Sequence, residues 1–111
     1  MDSIPDFDDQ ELILVRQILK KRYHSDIEIE LADSELRLEP TAPRLTFCPT
    51  VYWRADTVHF VIFKTAAQRY RCQFFYNSVE QYGTGIYEYE DLHHCMMTLL
   101  QVQADHALNQ R

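Results

Sequence analysis

The chain has 111 residues, 46% of them hydrophobic, 13% aromatic and 25% charged, which fits one folded domain and excludes a disordered chain. Only two glycines occur, so there is no glycine-rich loop to cradle a phosphate and no dinucleotide fingerprint. The formal charge of −6 sets the whole-molecule field against nucleic acid and anionic membrane.

The opening helix has the strongest local signal. Residues 1–7 read as an acidic arm, and a single domain follows over 8–111. Asp8 and Glu11 stand at capping-box spacing, and Phe7 and Leu12 at the positions of a hydrophobic staple. Leu12, Val15, Ile18 and Leu19 then recur with helical period, ending in Lys20, Lys21 and Arg22, which suit the negative end of the helix dipole. These features predict a helix over 8–23.

From Asp26 the period changes to two. Ile27, Ile29 and Leu31 alternate with Glu28 and Glu30; Leu36 and Leu38 alternate with Glu35, Arg37 and Glu39. A two-residue turn at Asp33-Ser34 would pair the two runs and place all four leucines and isoleucines of 29–38 on one face, with Glu28, Glu30, Glu35 and Glu39 on the other. Pro40, Pro43 and Pro49 then mark a loop or edge segment containing Leu45 and Phe47. Three further strands are expected at 50–54, 57–64 and 69–76. The middle one is apolar on both faces (Val58, Phe60, Ile62 against Val61, Phe63), as for a central strand covered on both sides or meeting a partner. Both glycines fall in Tyr82-Gly83-Thr84-Gly85, a turn leading to Ile86–Tyr89.

A second amphipathic helix is expected from about Glu90 to Ala107, with Leu92, Cys95, Met96, Leu99 and Ala107 as its stripe. The fold class is therefore α+β: an N-terminal helix, about five mainly antiparallel strands in one sheet, and a C-terminal helix, with both helices packed on one sheet face.

Three cysteines, Cys48, Cys72 and Cys95, are odd in number and contain no Cys-x-x-Cys pair. They fit reduced thiols in a cytoplasmic protein better than a disulfide framework. The acidic N-terminus lacks the apolar run of a signal peptide, and no stretch approaches the roughly 18 apolar residues of a membrane span, so no membrane partner is expected. His93 and His94 have no histidine three or four residues on, so the helix offers no ligand pair, and no metal or cofactor is expected. Cys48, beside Pro49 in a loop, reads as the most reachable thiol. Neither glycine flanks a serine, and no catalytic residues are assigned; a small thiol or metal-dependent enzyme stands as the third reading.

Charge is uneven along the chain. Residues 1–39 carry 11 acidic and 5 basic side chains, residues 40–79 carry 1 and 5, and residues 80–111 carry 5 and 1. The cationic middle coincides with the outward positions of the central strands: His59, Phe63, Arg69, Arg71 and Phe75. Arg54 and Tyr52 are available from the neighbouring strand. Tyr87, Glu88, Tyr89 and Glu90 add an acidic tyrosine segment, which suits contact with a basic partner. Aromatics and arginines together describe a protein interface, and the first expectation is a non-catalytic adaptor, regulator or assembly subunit that binds a protein partner or its own copy. The same residues describe a single-stranded nucleic-acid platform, which is the second reading.

Overall fold

The computed structural model describes residues 4–109; residues 1–3 of the acidic arm and residues 110–111 lie outside the described part. Helix α1 (Asp9–Tyr23) leads into β1 (Ile29–Leu36), β2 (Thr46–Ala55), β3 (Val58–Ala66), β4 (Arg69–Phe75), the short β5 (Gln81–Tyr82) and α2 (Leu92–Asn109). The strands form one antiparallel sheet whose spatial order is their chain order. The helices share one face of it, as the α+β reading expects.

The start of α1 forms as its residues dictate. Asp8 Oδ1 accepts from the Glu11 N–H at 2.8 Å, and Glu11 Oε1 accepts from the Asp8 N–H at 2.9 Å, closing the capping box. Phe7 is buried beside it, and Val15 and Leu19 are fully buried. Opposite them, Trp53, Phe60, Phe74 and Tyr82 are cross-strand partners on four consecutive strands. Their rings follow one another at 5.2, 6.4 and 5.4 Å between centroids, and Leu92, Cys95, Met96 and Leu99 of α2 complete the core.

The expected turn at Asp33-Ser34 does not form. β1 runs through both residues, with Asp33 opposite Pro49 and Ser34 opposite Cys48. β2 begins at Thr46 rather than Thr50 and offers a long partner strand, so eight cross-strand pairs outweigh the turn preference of two residues. Pro49 lies where β2 pairs with β1 alone, since pairing with β3 starts at Thr50, a place that tolerates a missing N–H. An unbroken strand also reverses the expected facing beyond the false turn. Leu36 shares the helix-free face with Glu30, and Glu35 falls on the helix side, opposite Phe47.

Within Ile86–Tyr89 only Tyr89 joins the sheet, its N–H and carbonyl each bonding Tyr70 at 2.8 Å. Residues 83–88 bulge away, because only three residues of β4 separate the partners of Tyr82 and Tyr89. In α2, Asp91 accepts from the His94 N–H at 3.0 Å and caps the first turn. Its buried stripe ends at Leu100, and Ala107 is exposed. His106 takes over the inward position, with its ring centroid 4.2 Å from Tyr82 and 5.6 Å from Phe74.

One ion pair ties α1 to the sheet. Lys64, in the inward row of β3, is 3% exposed, and its Nζ donates to Glu11 Oε1 at 2.7 Å and to the Asp6 carbonyl at 3.0 Å. The Tyr70 hydroxyl donates to the other oxygen of Glu11. Glu11→Ala would leave the Lys64 charge buried without its carboxylate, so it should cost about 3–5 kcal/mol. Asp8→Ala, which removes only the cap, should cost about 1 kcal/mol. Urea unfolding checks both, and Lys64→Met placed on Glu11→Ala should recover most of the larger loss.

Candidate protein-binding face

With Val58, Phe60 and Ile62 turned to the helices, strand parity turns Tyr52, His59, Val61, Phe63, Arg71, Gln73 and Phe75 to the face that carries no helix. Tyr52, His59 and Phe75 form a second aromatic row across β2, β3 and β4. Their ring centroids are 5.9 and 4.9 Å apart, and His59 and Phe75 lie within 10° of parallel. The Tyr52 hydroxyl and His59 Nδ1 are 2.6 Å apart. Val61 is buried and Phe63 half-buried beside the row, so the neighbouring rings and strands hold each ring in place.

A polar clamp adjoins this apolar area. Glu88 folds in from the bulged segment and accepts from Arg69 Nη1 at 3.1 Å, Thr65 Oγ1 at 3.0 Å and Arg71 Nε at 3.3 Å. Arg71 Nη2 also donates to the Leu38 carbonyl at 3.1 Å, and its guanidinium lies 4.1 Å from the centroid of the Tyr87 ring. The Tyr87 hydroxyl donates to the same carbonyl at 3.2 Å. Arg71 thereby joins β4, the loop after β1 and the tyrosine segment. Thr65 reaches Glu88 because a register shift between Lys64 and Ala66 adds a residue to β3 there.

The nine residues singled out from the sequence thus fall into three groups. His59, Phe63 and Phe75 lie on the aromatic area. Arg69, Arg71, Tyr87, Glu88 and Glu90 gather in the clamp, Glu90 through a 3.7 Å ion pair with Arg69. Tyr89 points the other way and is 2% exposed in the core. Two members of the clamp had no signal in the sequence: the Leu38 carbonyl is backbone, and Thr65 depends on the bulge.

Electrostatics within the clamp favour a charged Glu88. Partial burial opposes ionisation, but hydrogen bonds from Arg69, Thr65 and Arg71 and the charge of Arg71 outweigh it, leaving the carboxyl below its ordinary value. All three thiols are free, Cys48 and Cys95 buried and Cys72 half-buried. Cys48 is fully buried within β2, contrary to the reachable loop thiol expected, and burial pushes its ionisation up against the pull of Arg71. Cys95 is raised by its hydrogen bond with Cys72 and by burial. His93 and His94 are exposed while Cys95 is buried. Among the described residues, no three His, Cys, Asp or Glu side chains gather as metal ligands, and no helix is long and apolar enough to cross a membrane.

A carboxyl held low in the folded state contributes stability above its ordinary range and loses it as pH falls through the folded value. Glu88→Gln should therefore be less stable than the parent at pH 7 in urea unfolding, with the gap closing as pH drops below the carboxylate range. Thiol alkylation followed by mass spectrometry should find no fast-reacting cysteine at neutral pH, with Cys48 and Cys95 modified only at the rate of unfolding. Against known proteins, the chain matches no family model, and no curated protein or solved structure matches it significantly.

Proposed function

We propose that the protein is non-catalytic and works by binding a protein partner, as an adaptor, regulator or assembly subunit, through the helix-free face of its sheet. The carrying observation is the stacked row Tyr52–His59–Phe75, with Phe63 beside it, on a face that no helix covers. Rings already held by their neighbours lose little conformational freedom on binding, which is what an aromatic anchor needs. Tyr87, 63% exposed, and Glu90 supply a polar rim at one side. Tyr89 supports that rim from the core and is not part of the contact surface.

The chemistry favours protein over single-stranded nucleic acid. A nucleic-acid platform needs free cations beside its rings. Here Arg69 and Arg71 are paired with Glu88, and Arg54 Nε donates to the Asp56 carbonyl at 2.9 Å.

The test compares tagged wild-type protein with a Phe63→Ala/Phe75→Ala variant as baits in native lysate, with and without nuclease. Wild type should retain a stoichiometric protein after nuclease treatment, and the variant, still cooperatively folded in a thermal melt, should retain at least about tenfold less. A catch that disappears with nuclease would overturn the reading in favour of nucleic acid. Equal capture by wild type and variant would remove this face from the interaction.

A further inference from the structure

The sheet has two edges, and they differ. On one side β5 is two residues long, and the bulged segment 83–88 lies between it and the bridge at Tyr89. Short strands and irregular segments are how sheet edges are closed to further pairing. On the other side β1 presents eight residues, Ile29–Leu36, roughly 26 Å of extended backbone. It pairs with β2 alone, so its outward N–H and C=O groups have no strand partner among the described residues.

What lines that edge is chemically one-sided. Glu28, Glu30, Asp33 and Glu35 are all exposed, and none of the four carboxylates makes an ion pair or hydrogen bond with another described residue. Glu30 projects on the helix-free face, while Asp33 and Glu35 project on the other. On that helix side, where the core does not extend, Leu31 is 58% exposed and Phe47 65% exposed. Leu31, Asp33 and Pro49 also line a shallow pocket with Phe7. The edge therefore combines backbone hydrogen-bonding capacity, an exposed apolar seat at Leu31 with Phe47 one strand in, and negative charge without a partner among the described residues.

We propose that β1 is a docking edge for a cationic extended segment of a partner protein, which adds to the sheet as a further strand. Main-chain hydrogen bonds would hold the segment, its apolar side chains would seat beside Leu31 on the helix side, and its lysines or arginines would meet Glu28 and Glu30 on the other face, with Asp33 and Glu35 adding to the negative field. A second copy of this chain is the poorer fit. Symmetric antiparallel pairing of β1 with itself would line one seam with the exposed carboxylates of both copies, and like charges brought together across a strand pair destabilise it. This inference is independent of the helix-free face.

The test uses a fluorescently labelled decapeptide of alternating valine and lysine, with a valine–glutamate peptide of equal length as control. Anisotropy titration of the intact protein should show the lysine peptide binding at least tenfold more tightly, with affinity falling as salt rises. Hydrogen exchange should show new protection at residues 29–36. Joint reversal of Glu28, Glu30, Asp33 and Glu35 to Lys, at four exposed positions, should invert the peptide preference, with a thermal melt confirming the fold. The Phe63→Ala/Phe75→Ala variant should bind the lysine peptide like wild type, so failure of the helix-free face and failure of the edge are read separately. Equal binding of the two peptides, or protection confined to other strands, would overturn the proposal. So would a wild-type dimer in sedimentation with its β1 amides already protected, which would assign the edge to a second copy.

Discussion

The carboxylate of Glu11 is the point on which the tertiary arrangement turns. One oxygen serves the Asp8 N–H and the buried ammonium of Lys64, and the other receives the Tyr70 hydroxyl. The group that closes the first turn of α1 thus also docks that turn onto β3 and β4. Burying Lys64 is costly by itself, and it is tolerated here because carboxylate, carbonyl and the nearby Phe7 ring surround it. The Tyr70 hydroxyl is pushed up by burial and by its bond to Glu11, so it stays protonated and donates.

The sheet's character follows from strand parity around β3. Its inward residues join the row of Trp53, Phe60 and Phe74, and its outward residues join that of Tyr52, His59 and Phe75. Two aromatic rows lie back to back, one beneath helices and one without them. The sheet is stiffened from both sides although only one side carries a helical layer. Stacked rings across paired strands add to ordinary burial, which lets the helix-free row stay ordered while partly exposed.

Features written within a few residues of one another were legible in the sequence. The capping box, the basic end of α1, the doubly apolar β3 and the inward Cys95 all follow from local spacing, and the structure forms each of them. Features decided by partners far along the chain were not. Asp33-Ser34 has turn chemistry, but β2 supplies a partner for every residue of β1 through it. Cys48 beside a proline looked accessible, yet its place within β2 buries it. Arg71 was legible as an outward residue of β4, while its bond to Leu38, 33 positions away, was not. His106, an unremarkable residue on a helix end, packs half-buried against Phe74, Tyr76 and Tyr82 because α2 delivers it there.

Because strand order equals chain order, each strand meets its neighbour as soon as the next hairpin is made, and the meander needs little long-range search. Helix α2, which follows all five strands in the chain, joins the same face after them. During synthesis β1 to β4 can be complete while Leu92, Met96 and Leu99 are still within the ribosome, leaving the inner aromatic row covered by α1 alone. A nascent chain at that stage displays hydrophobic surface on both faces of a well-formed sheet. The interval before α2 covers the inner row is when apolar surface is least protected and aggregation most favoured.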